Sequence, residues 1–514
     1  MISLQNSESV LAREENPSKR WHDLDALRGF AMLLGIVLHT AMSFLGGVWS
    51  VNDIRAGSEF FWWVVLGIHG FRMQLFFLLS GFFTSMIWKK RGLNVLVQHR
   101  IKRIFLPLLI CFVTVIPLMN WVSEEAAESE YEKTQNVDDI WTPIFSGSVT
   151  GVENAISIGT DINIRGDDAY TPLHLAALLG NHEIIEILLE AGAEPDPLNS
   201  KDETPLVLAV FAGSTKSAEI LIDFGAKDIR ESGQDWNDLF WFNWAGNEQE
   251  DSKNNKDIKS WLNQFHHLWF LWFLCWMVAG FCIASIVFQT IRPLIENMPD
   301  FKRHFIWLLL PASLLMQLKM GDGGNYASFG PDTFTEFFPP AHLLIYYGLF
   351  FAFGSITFGI RTKKSEPLID HLGKRWYVLL PITVIGILPL GLGATFEGDS
   401  WFIASLLQIL YAWGMSIGLI GLFRKLFAKE RNSVRYLSDA SYWMYIAHLP
   451  LVISAQWLFR DWEIFSFLKF FLICISISPI LLASYQLFVR YTPIGTLLNG
   501  KRKRKPENSS PIIS

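Results

Sequence analysis

A chain of 514 residues with 51% hydrophobic, 14% aromatic and only 18% charged side chains, and a mean hydropathy of +0.27, lacks the charge to cover a soluble surface. This balance excludes a disordered chain, a disulfide scaffold and a nucleic-acid-binding protein, and points to a protein embedded in a bilayer. The net charge of −6 says little, because the charges are segregated along the chain.

Apolar runs recur near 26–47, 60–88, 103–121, 265–288, 304–320, 341–360, 376–394, 401–423, 436–458 and 464–489. Each approaches the roughly 20 residues a helix needs to cross a bilayer. They predict an all-α polytopic bundle of about ten spans, the second long enough to begin with a separate interfacial helix. Residues 1–24 are polar and mixed in charge, unlike a cleaved leader. With a cytoplasmic N-terminus, the inside segments 1–28, 89–103, 289–303, 361–375, 424–435 and 490–514 hold 29 Lys and Arg. The short outside segments hold Arg55, Lys319 and Arg460, with Lys469 just inside the last span. This asymmetry predicts a multi-pass inner (plasma) membrane protein with both termini cytoplasmic. The tail Lys501-Arg502-Lys503-Arg504-Lys505 then reads as an anchor near anionic lipid. Cys111, Cys275, Cys282 and Cys474 all lie in apolar runs and read as fillers; no metal site is expected.

The expected organisation is a membrane domain split into 1–121 and 262–490, an insert at 122–261 and a basic tail at 491–514. The insert carries 28 Asp and Glu against 9 Lys and Arg, and span parity places it outside the cytoplasm. Within it, Thr171-Pro172-Leu173-His174-Leu175-Ala176 recurs 33 residues on as Thr204-Pro205-Leu206-Val207-Leu208-Ala209. Each copy is followed by an apolar helix and Gly-Ala, at 192–193 and 225–226. The pattern resembles ankyrin repeats over about 150–232, with two clear copies and a partial one before them, ending at Gly159-Thr160-Asp161. His174 reads as a structural hydrogen-bonding residue. The charged flanks 122–140 and 245–260 read as linkers.

Ionisable residues inside spans usually face a pathway or a site. In the first span Arg28 and His39 are eleven residues apart on one face, about 16 Å in depth. Asp25 precedes Arg28 by three residues and can pair with it. In the second span His69 and Arg72 share a face with Gln74 nearby, and Ser80-Gly81 lets another helix approach closely. Arg100 and Arg103 share a face at the entry of the third span, where two guanidiniums would hold a phosphate-bearing donor. His266-His267 opens the fourth span, as an acceptor-side site or as part of an interfacial aromatic belt. Ser441, Tyr445 and His448 form a polar stripe in the ninth span, lining a cavity or making a helix contact. A base of near-neutral pKa suits acyl transfer to a hydroxyl, and Arg72 or a backbone N–H could steady the oxyanion.

In order, Leu-Asp-x-Leu-Arg-Gly-x-Ala…His39, Phe-Phe-x-x-Ser80-Gly-Phe, Arg100-x-x-Arg103 and Ser441-Tyr-x-x-Tyr445-x-x-His448-x-Pro resemble the acyltransferase-3 family of multi-pass membrane acyltransferases. Phe71-Arg72-Met73 and His267-Leu268-Trp269-Phe270-Leu271 resemble the branch of the glucan biosynthesis protein C succinyltransferases. The resemblance covers 20–121 and 262–490; the usual members lack the ankyrin insert. It implies transfer of a succinyl or acetyl group from cytoplasmic acyl-CoA, a donor substrate rather than a bound cofactor, to a hydroxyl of an extracytoplasmic glycan. His39 would be the base and Arg28 its motif partner, with Asp25 and Arg72 in the catalytic set. Arg100 and Arg103 would contact the donor's phosphates, and His69, His267, Tyr445 and His448 the substrate. The insert would recruit a protein partner or place the acceptor. The rival readings are a transporter or flippase using the in-span His and Arg as a pathway, and a membrane scaffold working through its ankyrin repeats.

Overall fold

The computed structural model describes residues 21–45, 49–53, 56–134, 140–166, 169–200, 203–211, 214–227, 265–295, 301–321, 329–335, 337–360, 362, 366–398, 400–500 and 502. The segment 245–260 and the basic residues Lys501 and 503–505 lie outside them. The described chain is predominantly helical, and helices stand at all ten expected places. They are α1 (His22–Met42), α2 (Glu59–Arg91), and α3 (Leu93–Arg100) running through a π-turn at Ile101–Phe105 into α4 (Leu106–Thr134). The insert follows as α5 (Trp141–Ser146), α6 (Val149–Ser157), α7 (Pro172–Leu178), α8 (His182–Glu190), α9 (Pro205–Phe211) and α10 (Thr215–Asp223). The membrane part resumes with α11 (Trp269–Ile295), α12 (Phe301–Gln317), α13 (Ala341–Thr357) and the short α14 (Leu368–Gly373). Next come α15 (Trp376–Pro381) joined by a π-turn to α16 (Leu388–Phe396), α17 (Trp401–Leu426), α18 (Asn432–Phe459), α19 (Ser466–Ser484) and α20 (Pro493–Asn499).

Seven of these segments are both long and apolar enough to cross a membrane. The other three differ from the expectation in informative ways. Ile306–Gln317 and Ala341–Thr357 are apolar but short. The 28-residue α18 is long, but Ser438, Asp439, Ser441, His448 and Gln456 are buried in it and dilute its hydropathy. The second span is one unbroken helix of 33 residues, with no separate interfacial piece.

Both ends of the described chain meet at one end of the bundle. There Arg424 at the close of α17 bonds Asp23 at 2.7 Å and pairs with Asp370 of α14, while Arg502 bonds Asp439 at 2.6 Å. At the opposite, distal end the fully buried Lys469 ammonium bonds Asp53 at 2.6 Å and donates to the Arg460 carbonyl at 2.8 Å. Removing either partner of such a pair would strand a buried charge. It anchors the loop after α1. Arg460 also reaches the Ala126 carbonyl late in α4, so the insert leaves the bundle from the distal end. The α2–α13 crossing is close, because Gly81 and Gly354 let backbone meet backbone. A Cβ at Gly81 would strike the Phe351 carbonyl, and one at Gly354 the Leu78 carbonyl.

The insert stacks three helix pairs, α5/α6, α7/α8 and α9/α10, over Ile144, Val152, Leu173, Ile184, Leu188, Leu206 and Leu221. The pairing repeats with the sequence. Asn163 accepts from the Glu194 N–H at 2.9 Å, and 33 residues on Asp196 accepts from the Lys227 N–H at 2.8 Å. Thr171 caps α7, and the Thr171 N–H donates to His174 Nδ1 at 3.1 Å. Nδ1 is therefore the lone pair, and His174 Nε2–H donates to the Glu203 carbonyl at 3.1 Å. His174 thus ties one repeat to the next. Burial, opposed by the Glu203 hydrogen bond, lowers its pKa from the ordinary value. Since the unfolded chain then binds more protons, this contribution is complete above about pH 6.5 and is lost as pH falls through the lowered folded value. Hydrogen exchange on the intact protein should show amides 172–190 less protected at pH 5 than at pH 7.5. Equal protection would sever the link to His174.

Candidate active site

Three imidazoles lie side by side in the bundle's interior. The His39 ring, in the last turn of α1, is 5.3 Å from that of His448 on α18. The His448 ring is in turn 5.2 Å from that of His267, edge to face. Arg72 on α2 comes in beside them. A Cβ on Gly35, one turn before His39, would lie 2.7 Å from an Arg72 terminal nitrogen and 3.7 Å from His448 Nε2. Only glycine at 35 leaves the guanidinium that space.

Backbone carbonyls accept and never donate, so they assign two of the rings. His448 Nδ1–H donates to the Tyr445 carbonyl at 2.8 Å, leaving its lone pair on Nε2. His267 Nε2–H donates to the Ile446 carbonyl at 3.1 Å, leaving its lone pair on Nδ1. The Tyr445 hydroxyl donates to the His267 carbonyl at 2.6 Å and so holds the third ring from behind. Five buried atoms converge here with no hydrogen-bond partner among the described residues: His39 Nδ1, Arg72 Nε, His267 Nδ1, His448 Nε2 and the Tyr347 hydroxyl. Buried polar atoms are normally satisfied, so such a set marks a place built for something else to bind.

His39 itself is positioned by groups the sequence reading missed. Gln456 donates to the His39 carbonyl at 2.8 Å, an orphan at the helix end, and accepts from the Trp49 indole at 2.9 Å. Trp49 stacks on the His39 ring at 5.7 Å. A lone amide inside an apolar stretch was a visible signal for Gln456, and Gly35 stands at i,i+4 from His39. Trp49 and Tyr347 carried no such signal, being aromatics in an aromatic-rich chain.

The remaining residues singled out in the sequence have other hydrogen-bond partners, although His69 lies within electrostatic range of His39 and Arg72. His69 donates to the Pro331 carbonyl at 2.8 Å, which ties α2 to the distal loop 329–335. That loop is seated by Gln408, which accepts from the Gly330 N–H at 2.9 Å, and by Gln317, which donates to the Gly330 carbonyl at 3.1 Å. His266, next to His267 in the chain, bonds Asn120 at 2.6 Å. Ser441 bonds back to the Ser438 carbonyl at 2.7 Å.

Arg28, Asp25, Arg100 and Arg103 gather at the end of the bundle where the termini meet. Arg28 is 3.5 Å from Asp25 and donates to Ser438 Oγ at 3.1 Å. Arg100 donates to Thr84 Oγ1 at 2.6 Å and lies within electrostatic range of Arg103 and Arg28. Tyr442 donates to the Arg103 carbonyl at 2.8 Å. The eleven-residue interval from Arg28 to His39 puts this cationic cluster about 16 Å from the imidazoles. Asp25 and Arg28 therefore do not join the imidazole cluster. Of the four residues assigned to catalysis from sequence, His39 and Arg72 meet beside the imidazoles, while Asp25 and Arg28 pair with each other at the other level.

Residues 21–151 and 220–485 match the family described as acyltransferase domain, and residues 144–231 match ankyrin repeats in three copies. Among curated proteins, the chain is 34% identical over 123 residues to glucans biosynthesis protein C of Salmonella paratyphi B (strain ATCC BAA-1250 / SPB7) and equally to that of Salmonella heidelberg (strain SL476). That alignment spans 23% of this chain and 30% of each relative, so less than a third of either relative's length is covered.

Proposed function

The chain belongs to the acyltransferase domain family and is a multi-pass membrane acyltransferase with an inserted ankyrin region; from that premise we propose that it moves an acyl group, succinyl or acetyl, from cytoplasmic acyl-CoA to a hydroxyl of an extracytoplasmic glycan. The observation that carries this reading is the set of unpartnered buried atoms around His39, lying about 16 Å above a cluster of three arginines. A phosphate-bearing donor would rest on Arg28, Arg100 and Arg103 at the end where the termini meet. Its thioester arm would extend between the helices toward Arg72. The excess of Lys and Arg on that side supports a cytoplasmic placement of both termini. The relatives' name supports a glucan as the acceptor.

His39 takes the proton of the acceptor hydroxyl as its oxygen bonds the thioester carbon. The carbonyl oxygen becomes an oxyanion, met by Arg72, whose Nε has no other partner among the described residues. The carbon–sulfur bond breaks, the ester is released, and the departing thiolate takes the proton from the His39 imidazolium. The lone pairs on His448 Nε2 and His267 Nδ1 accept hydrogen bonds from the acceptor's hydroxyls. The insert, hanging from the distal end, recruits a protein partner or places the acceptor.

Mass spectrometry of glycans from cells with and without the protein tests this directly. Glycans should gain the mass of one acyl substituent only when the protein is present, and lose its positional pattern when residues 141–227 are deleted. Identical glycan masses would refute the assigned reaction.

A further inference from the structure

The unpartnered atoms of the site divide by their chemistry. His448 Nε2 and His267 Nδ1 carry lone pairs and accept hydrogen bonds, whereas Arg72 Nε and the Tyr347 hydroxyl donate. Acyl transfer as described uses His39 and the first three and leaves Tyr347 idle. Tyr347 stands on α13 and is fully buried. Packing fixes its ring, which lies 4.7 Å from that of Phe77 on α2 and 5.5 and 5.8 Å from those of Trp269 and Phe273 on α11. Other buried tyrosines of the bundle direct their hydroxyls to backbone: Tyr411 donates to the Gly67 carbonyl at 2.7 Å, and Tyr445 to the His267 carbonyl at 2.6 Å. The Tyr347 hydroxyl has no hydrogen-bond partner among the described residues and lies within electrostatic range of Arg72. Asp332 of the distal loop is also in range, and it accepts from the Gly321 N–H at 3.1 Å.

We infer that Tyr347 is a second catalytic donor to the oxyanion, paired with Arg72. When the acceptor oxygen bonds the thioester carbon, the carbonyl π pair moves onto the carbonyl oxygen. The Tyr347 O–H donates a hydrogen bond to that oxygen and keeps its own proton. The acceptor's proton passes to His39 and then to the departing thiolate, so Tyr347 ends the cycle as it began. A buried O–H without an acceptor destabilises the free protein. An oxygen that gains negative charge beside it, in an apolar surround and next to a guanidinium, is held more strongly than the ground-state carbonyl. This inference rests on the acyl-CoA reading above.

The test is steady-state acyl transfer by the full-length protein in membrane vesicles, beside thermal unfolding in detergent. Acetyl-CoA and succinyl-CoA are the donors, and glucan extracted from cells lacking the protein is the acceptor. With whichever donor the parent uses, Tyr347→Phe should lower kcat about 10²- to 10³-fold, the loss that follows removal of one oxyanion donor. Both KM values should stay within about twofold, because the bond forms only in the transition state. Its Tm should be unchanged or raised, because the hydroxyl removed has no partner among the described residues. Tyr346→Phe, one residue earlier, should do the reverse: its hydroxyl accepts from Gln74 Nε2 at 3.1 Å, so Tm should fall while kcat holds. A kcat for Tyr347→Phe within about threefold of the parent, or a change confined to the acceptor KM, would overturn the inference. A Tyr347→Phe protein that fails to fold would overturn it too, since a hydroxyl needed for assembly is a structural one. Parent protein that transfers neither acyl group would count against the acyl-CoA reading and remove this inference with it, whereas an active parent beside an equally active variant overturns this inference alone.

Discussion

Replacement of His39 by alanine is expected to lower acyl transfer about 10²- to 10⁴-fold, the range spanned by loss of a general base, with no matching loss of folded protein. The second half of that expectation comes from the geometry. Gln456 holds the backbone carbonyl of His39, not its ring, and Nδ1 has no partner among the described residues. The ring contacts with Trp49 and His448 are lost, about 0.5–1.5 kcal/mol for each aromatic pair. Gln456→Ala should give a milder defect with His39 still present, because it frees the end of α1 and releases the Trp49 indole. Initial rates on membrane vesicles, normalised to folded protein, separate these outcomes. A His39→Ala rate within tenfold of the parent would move the base to His448, whose Nε2 lone pair faces the same space.

Gly81→Ala should strongly damage assembly of the membrane part. The added carbon would meet the Phe351 carbonyl, which belongs to a rigid helix backbone and cannot swing aside. Helices α2 and α13 would have to separate, and with them Phe77 from Tyr347, now 4.7 Å apart, and Gln74 from Tyr346, now bonded at 3.1 Å. Overpacking typically costs about 1–3 kcal/mol and more where backbone is struck. Arg72 rides on the same helix, so activity should fall together with stability. Gly348→Ala on α13 is the control, because its Cβ would make only ordinary contact with Met277 Sδ at 3.5 Å. Thermal unfolding in detergent should show a lowered Tm for the first variant and parent-like behaviour for the second. Equal Tm values would mean that the crossing is not close-packed in the membrane.

The ten helical segments, the 33-residue repeat and the in-span ionisable residues His39 and Arg72 were legible in the chain, because each is written locally. A bilayer demands long apolar runs, a stacked repeat demands its own period, and an ionisable residue in an apolar run has few reasons to be there. The first helix pair of the insert, Trp141–Ser157, was harder to see, since its Thr142-Pro143 stands 29 residues before Thr171, out of the 33-residue period, and no Leu-x-Leu-Ala follows it.

What one sequence stretch cannot state is which distant stretch it faces. Arg28 and His39 share a helix yet serve opposite levels of the bundle, one beside Ser438 and the other beside His448. His267, at the start of a span some 180 residues from His448, enters the cluster only because Tyr445 and Ile446 hold it there. The basic tail read as a lipid anchor from its charge alone, but Arg502 turns inward to a carboxylate 63 positions earlier in the chain. Periodicity and polarity determine which faces of each helix are buried. The packing of ten helices against one another decides which polar groups on those faces meet, because that choice depends on close approach at glycines and on contacts such as the Ile446 carbonyl that fixes the His267 tautomer.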